Sequence, residues 1–582
     1  LLRVGGVGGT DAELEDAAED FGLRALALNL LAAYIYEIPG HHVSNAMEIP
    51  NIDVPLKEGK HPRRVMAAFA KRFGDDSAEV ELLRIMGLFS SPAKEEEIAA
   101  LHAAPSIPDL TEHIQGLSEP KWLELITKLR HLKLLAPESR HRPNSLDAHP
   151  LVREHFSAQL KGEYPNAWRE GHNRLYEYYK TSAKEYPDTL KEMAPLYAAV
   201  MHGCQAGRYQ ETLMEVYWKR ILHGNEHFSW KKLGTFGADL AALSGFFYGT
   251  SWRKPVDGLT EAAKGFVLNQ VGFYLRALNW LAEAAQPMQA SLEIMLTLKN
   301  WNEAAIRASN LSEFYLTIGD VKGALTYAEQ SVELADQSGD EFRRLYNRAS
   351  LGDVQHQLGQ LAESQITFHE AEVIQKKRQP ELPLLYSYQG FRYCDLLLSQ
   401  ENYAEVKRRA SQTLEWGTRE GFLLDIVHDN LSLGRAHLLQ SQREPNHPLT
   451  ESLTYLNRAV DGLRQAGAQE FIARGLLARA EYYRVTGDLD KAQRDLDEAF
   501  SIASRGGMGL HLADCRLEYA RLALARGPSP RPSPSKGEGD EAREHLKIAK
   551  EMIEKMGYHR RDKEVEELEM SFPFGDDVRG TA

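Results

Sequence analysis

Hydrophobic and small residues recur along most of the chain at the three- and four-residue spacings of a helix, most clearly between Trp301 and Gly339. Ala304, Ala308, Leu311, Ser312 and Tyr315 share one face of a first helix, and Val321, Ala324, Leu325, Ala328 and Val332 share one face of a second. Gly319 predicts a left-handed end to the first helix, and Asp320 can cap the next. Small residues at Ser312, Ala324 and Ala328 let the two backbones approach closely. A two-helix unit of this kind cannot bury both apolar faces alone, so the pattern predicts stacked neighbours.

A matching small or apolar residue early in a second helix occurs at Thr212, Ala284, Ala324, Ser364, Val406, Ser452, Ala492 and Ala542. From Ala284 the steps are 40, 40, 42, 46, 40 and 50 residues. Two long steps contain insertions, REPNHP at Arg443 to Pro448 and GPSPRPSPSK at Gly527 to Lys536. The second cannot continue a helix and reads as an exposed loop. The step from Thr212 to Ala284 holds one degenerate unit, aromatic-rich around residues 220–260. The expected architecture is all-α: about eight helix pairs over residues 175–557, with an insertion loop at 527–536 and a C-terminal tail at 558–582.

The first part of the chain reads differently. Asp11 to Ile38 predicts a helix closed by Pro39-Gly40, within a helical segment spanning residues 1–60. Residues 61–160 form a second block. Apolar stripes run over Val65 to Phe73, Val80 to Phe89, Glu95 to His102 and Trp122 to Leu132. A polar loop, Pro137 to Ser145, then precedes LDAHPLVREHF at Leu146 to Phe156. Helices, a short hairpin and another helix are what a winged-helix domain would require. The opening LLRVGGVGGT has glycines but no lysine for a phosphate loop, and predicts a turn before the first helix.

Composition narrows the function classes. A net charge of -14 argues against nonspecific nucleic-acid binding by the whole chain. Cys204, Cys394 and Cys515 lie far apart, which argues against a disulfide framework and suits a cytoplasmic protein. No apolar run reaches membrane-spanning length, so no membrane partner is expected. The chain begins at Leu1 without methionine, which suggests a fragment or a processed product. The histidines show no metal-ligand spacing. His202 and Cys204 in MHGCQ would suit a nucleophilic pair, but no oxyanion loop accompanies them, and a packing role is preferred. Carboxylates sit beside Lys and Arg on solvated helix faces. No catalytic constellation emerges, so no enzyme activity is expected.

TIGDVKGALTYAEQSVELA and VTGDLDKAQRDLDEAFSIA share a Gly-Asp turn, an early alanine and a small residue seven positions later; LGQLAESQITFHEAEVI places Gly359, Phe368 and Ala371 equivalently. This pattern resembles the tetratricopeptide repeat, with longer helices than the common form. The resemblance implies a right-handed superhelix whose first helices line a concave surface. Facing inward would be Phe266, Asn269, Phe273, Arg276, Tyr346, Asp353, His356, Tyr388, Phe391, Asp395, His428, Arg435, Arg474, Glu481 and Arg484. Their mixture of aromatics and both charge signs favours a protein or peptide ligand over nucleic acid.

FGLRALALNLL, RRVMAAFAKRFG, LLRIMGLF, ITKLRHLKLL and DAHPLVREHF resemble the back half of a bacterial NB-ARC-type STAND signal-transduction ATPase. That resemblance implies a winged helix and places His149 on a histidine that reaches the β-phosphate of ADP in the family. Ala148 and Pro150 stand where the family has Met and Asp. Walker A and Walker B segments are absent, so these residues are expected to hold no cofactor; ADP or ATP, and oligomerisation, would belong to a longer parent chain. The implied role is the non-catalytic, ligand-sensing part of a STAND-type regulator. One alternative is a DNA-binding regulator using Lys128, Arg130, Lys133, Arg140 and Arg142 on the winged helix. A stand-alone repeat scaffold is the other.

Overall fold

The structure, a computed structural model, describes residues 1–52, 55, 59–249, 251–444, 448–467, 469–527 and 538–572. Among the described residues the chain is helical, with four isolated β-bridges. It divides into two compact units, Leu1–Tyr217 and Trp218–Ala582.

In the first unit Thr10 and Glu13 form a reciprocal capping box that starts the helix Asp11–Asp20. The single helix expected up to Ile38 is two, because Gly22 (φ 73°) and Leu23 (φ 53°) are left-handed and Phe21 turns fully inward. A Cβ on Gly22 would lie 2.6 Å from the His61 ring, so this bend requires glycine. The next helix, Ala25–Tyr36, shares one core with everything from Leu2 to Leu175. The boundary expected at residue 60 therefore separates no cores. Arg64 ties the two sides together: it donates to the Ile49 carbonyl at 3.2 Å, pairs with Asp20 at 3.1 Å and lies over the Phe21 ring.

The helices Pro165–Ser182 and Leu190–Gln205 also belong to this unit, not to the repeat array expected from residue 175. Between them, His172 Nδ1 and His202 Nδ1 lie 2.7 Å apart, both buried, against Trp168, Tyr179 and Phe89. One ring must donate and the other accept, which requires at least the accepting ring to be neutral. Burial pushes His202 down to about 3; burial, with His202 beside it, pushes His172 well below its usual value.

In the second unit seven helix pairs follow one another: Glu261–Ala277 with Leu281–Thr297, Trp301–Ile318 with Val321–Ser338, Glu341–Gln357 with Leu361–Arg378, Ser387–Ser399 with Tyr403–Glu420, Leu423–Arg443 with Thr450–Ala466, Gln469–Val485 with Leu489–Gly506, and Gly509–Arg526 with Glu538–Met556. This is an all-α solenoid. Ala284, Ala324, Ser364, Val406, Ser452, Ala492 and Ala542 are all essentially unexposed near the start of their second helices, as the period requires. Thr212 is also fully buried, but in the first unit, against Gly203. Gly319 is left-handed and Asp320 caps the next helix through the Gly323 amide. Serine hydroxyls at the close crossings donate to the facing helix: Ser312 to the Ala324 carbonyl at 2.9 Å, Ser364 to Gly352 at 2.6 Å and Ser452 to Gly434 at 2.9 Å.

The degenerate unit is a pair of short helices, Phe228–Leu233 and Phe236–Leu243, joined at left-handed Gly234. A Cβ on Gly234 would sit 2.8 Å from the Ala466 carbonyl, so this unit reaches across to the fifth pair. The seventh pair returns to the second: a Cβ on Gly509 would lie 2.5 Å from the Ile318 carbonyl. Asn279 of the first pair donates to the Ile502 carbonyl of the sixth at 2.8 Å. The stack is thus closed on itself. Residues 558–570, expected as a tail, are folded into the closure. Tyr558, Val565 and Leu568, the last two on the helix Asp562–Met570, join one core with Val321, Ala324 and Leu517. Residues 445–447 of the REPNHP insertion, 528–537 of the Pro/Ser insertion and 573–582 lie outside the described residues.

Ala324→Tyr should lower the unfolding temperature, because overfilling a fully buried crossing costs ~1–3 kcal/mol or more; an unchanged thermal melt would refute the register. The histidine pair carries a pH dependence. Below its ordinary value of 6.5 each imidazole binds a proton in the unfolded chain but not in the folded one, so this contribution to stability falls as pH drops from 6.5 toward about 3. Calorimetry at pH 7 and pH 5 should show a smaller acid-induced drop in a His202→Leu variant than in the parent, each referred to its own value at pH 7.

Candidate functional site

The closed stack surrounds a cavity of about 600 Å³. Because apolar residues of each first helix face their neighbours at the helical period, a polar strip is left to point inward. Every first helix of the seven pairs delivers charge to it: Arg276, Glu313, Asp353, Arg392 with Asp395, Arg435, Arg474 with Glu481 and Arg484, and finally Asp514, Glu518 and Arg521. The C-terminal closure adds Arg560, Arg561 and Glu564.

These groups sort into three networks. In the first, Glu313 lies between Arg276 at 2.8 Å and Arg392 at 2.7 Å; Arg392 also reaches Asp353 at 3.2 Å and donates to Ser350 Oγ at 2.8 Å. Its guanidinium lies over the Tyr388 ring, and Arg276 reaches Glu470 at 3.3 Å. In the second, Asp395 takes both Arg435 and Arg560 at 2.6 Å. In the third, Glu518 pairs with Arg484 at 2.6 Å and Arg521 at 3.3 Å; Glu564 joins Arg521 to Arg561, which holds Asp514 at 2.8 Å.

Burial alone would raise the Glu313 carboxyl, but Arg392 and Arg276 outweigh it and hold the group down to about 2. Glu470 goes the other way. Burial raises it, and nearby Glu313 adds to that, against the pull of Arg276. Most of the charged groups of the site are held in close ion pairs. The three cysteines are buried, and burial raises each thiol. Among the described residues no group of His, Cys, Asp and Glu is arranged to hold a metal ion.

Eight of the residues expected on a concave surface line this cavity: Arg276, Asp353, Tyr388, Asp395, Arg435, Arg474, Glu481 and Arg484. The other seven pack between layers instead. Phe266 meets Trp218, and Phe273 meets Trp230. Asn269 accepts from Asn310 at 2.9 Å, and His356 Nε2 pairs with Ser399 Oγ at 2.8 Å. Phe391 and His428 stack behind Tyr388. Tyr346 reaches the network from outside, donating its hydroxyl to Glu313 at 3.3 Å. The surface expected to be open is internal, because the seventh pair and residues 558–570 come back over it. Glu313, Arg392 and Glu518 were absent from the sequence-based set although they sit on inward faces at close to the repeat period. Arg560 and Arg561 had no such signal, lying beyond the last repeat.

In the first unit His149 is exposed and caps its own helix, Pro150–Glu163, its Nδ1 accepting from the Leu151 amide at 3.2 Å. His202 bonds to His172, so the suggested His202–Cys204 pairing is replaced by a pair of imidazoles.

No protein-family model matches the chain, and no curated protein does. Among solved structures it is similar to a Rap protein complexed with Competence and Sporulation Factor, at 13% identity, covering 66% of this chain and 93% of that one, with a TM-score of 0.42. It is also similar to a Signal Transduction ATPase with Numerous Domains protein with a tetratricopeptide repeat sensor from Pyrococcus horikoshii, at 13% identity, covering 94% and 70%, with a TM-score of 0.33. Among the described residues no helix is long and apolar enough to cross a membrane.

Arg392→Met should destabilise the second unit strongly. It leaves Asp353 without a cation, held by Gln357 alone, and Glu313 with one cation, and breaking a buried pair from one side costs ~3–5 kcal/mol. Urea denaturation checks this; a loss under ~1 kcal/mol would mean the network is solvated rather than dry.

Proposed function

We propose that the chain is a non-catalytic binding module whose helix pairs take a protein or peptide ligand at their inner face, as the sensing part of a STAND-type signalling regulator. The observation that carries the binding reading is the cavity itself. Its lining draws charged side chains of both signs from all seven first helices and adds Tyr388, Tyr403 and Tyr558. A main chain with its alternating donors and acceptors, flanked by side chains of varied character, matches such a lining better than a uniform polyanion does.

The regulator reading rests on the first unit. Helices Ala78–Met86, Glu95–His102 and Glu119–His131 are followed by a Ser139–Arg142 bridge and by an Ala93–Leu146 bridge, a layout that suits a winged helix. A DNA-binding role for it is less favoured. Lys128 is taken by Glu79 at 2.5 Å and Arg130 by Glu138 at 3.6 Å.

Ala478 lines the cavity and is buried, so Ala478→Trp fills it from the helix Gln469–Val485. A labelled random-peptide library should bind the parent chain and lose at least about tenfold in affinity with the variant, a difference of ~1.4 kcal/mol. Binding indifferent to the substitution would remove the cavity from consideration. Calorimetric titration with ADP and ATP should give no micromolar binding, and tight binding would overturn the non-catalytic reading.

A further inference from the structure

The helix Gln469–Val485 turns Arg474, Leu477, Ala478 and Glu481 toward the cavity. These residues are spaced to share one face. Its two charged members differ from the rest of the lining. Arg276, Arg392, Arg435, Arg484, Arg521, Arg560 and Arg561 each hold a carboxylate. Arg474, by contrast, has neither an ion pair nor a hydrogen bond among the described residues; its only close contact of this kind is with the face of the Phe391 ring, 5.4 Å away. Glu481 forms no ion pair either, and accepts one hydrogen bond, from Gln442 Nε2 at 3.1 Å.

A second side chain points to the same place. His511 lines the cavity, is 8% exposed, and its Nδ1 has no partner. Burial and the nearby Arg474 push its pKa down to about 4, so at neutral pH it is an uncharged imidazole. A buried imidazole nitrogen without a partner is costly to keep unless something completes it, and Arg474, half-buried beside it, presents to the same cavity a guanidinium that no carboxylate holds.

We propose that the cavity takes a short free peptide lying along the helix Gln469–Val485, with its terminal carboxylate on Arg474 and His511 and its terminal ammonium on Glu481. The inference rests on the peptide-binding reading above and narrows it. Seven residues of helix put the Cα atoms of Arg474 and Glu481 about 10 Å apart. An extended chain of about three residues spans the same distance. Leu477 and Ala478 lie between them and give the peptide's middle residue an apolar floor. One monoanion balances the single unmatched guanidinium. A phosphate dianion would also feel Asp395 and Asp353, whose charges act on Arg474.

The test uses the full chain and three pools of mixed tripeptides at millimolar concentration: free, C-terminally amidated and N-acetylated. Native mass spectrometry and thermal shift read the outcome. The free pool should bind and raise the melting temperature, and each blocked pool should bind about tenfold more weakly. Arg474→Gln should abolish the preference for the free over the amidated pool without lowering the melting temperature of the unliganded chain, since no protein carboxylate loses a partner. Glu481→Gln should abolish the preference over the acetylated pool. Equal binding of free and amidated pools, or Arg474→Gln behaving as the parent, overturns the proposal. If longer linear peptides bind in an Ala478→Trp-sensitive way and no tripeptide pool does, the narrower inference fails and the wider reading stands. If neither class binds, both fail.

Discussion

Glu313 between Arg276 and Arg392 is the contact on which the closed stack depends. It joins the first helices of the first, second and fourth pairs, and through Arg276 it reaches Glu470 of the sixth. Three ionised groups in a nearly dry interior pay a heavy desolvation cost, recovered only when geometry is close and the remaining donors are satisfied. Here each guanidinium finds more than one acceptor, although Nε of both Arg276 and Arg392 is left without a well-aligned hydrogen bond, and the carboxyl is held ionised down to about 2. Well-packed hydrophobic residues could fill such an interior with equal or greater stability. What the ion pairs add is position: they favour the arrangement of first helices in which opposite charges meet.

Closure follows from the same demand. In an open array the buried Asp395 would have Arg435 as its one cation; Arg560, brought in from beyond the last repeat, is its second. Arg561 and Glu564 do the same for Asp514 and Arg521. The apolar side of the closing segment, Tyr558, Val565 and Leu568, supplies the burial that drives it into place. Residues 558–570 are thus one amphipathic element serving two layers, apolar toward the second pair and charged toward the cavity.

Much of this fold is legible in the chain. The recurrence of a small or apolar residue from Ala284 to Ala542 sets the register of seven pairs because close helix crossings leave little room there, and each of those residues is buried where the period puts it. Periodicity also found the inward strip of Arg474, Glu481 and Arg484. It could not separate the residues that face the cavity from those one layer behind it, because aromatic side chains such as Phe391 and His428 share the same helix faces. Nor could it find the return of the chain on itself. Closure depends on the angle added at each pair, which comes from side-chain shape across crossings tens of residues apart, and a local pattern carries no record of that angle. In the first unit the break at Gly22 was missed for a different reason: Phe21 and Leu23 continue the helical apolar pattern, and the constraint is set by His61, 39 residues away in sequence.

A cavity lined with ion pairs is usually a structural device, and most of this one is. Arg276, Arg392, Arg435 and Arg560 are consumed by carboxylates, so a ligand that approached them would have to replace contacts already made. In the peptide binding proposed above, recognition falls to groups the protein has not matched. Arg474, His511 and Glu481 are those groups, and they occupy two neighbouring elements, the sixth and seventh first helices, while the fixed networks around them hold those helices still. A guanidinium held in place by its surroundings but not by a partner loses little freedom on binding, and the energy of a new charge-assisted hydrogen bond is then not spent on ordering the side chain. The same matched charges that make the interior rigid thereby make its few unmatched groups selective.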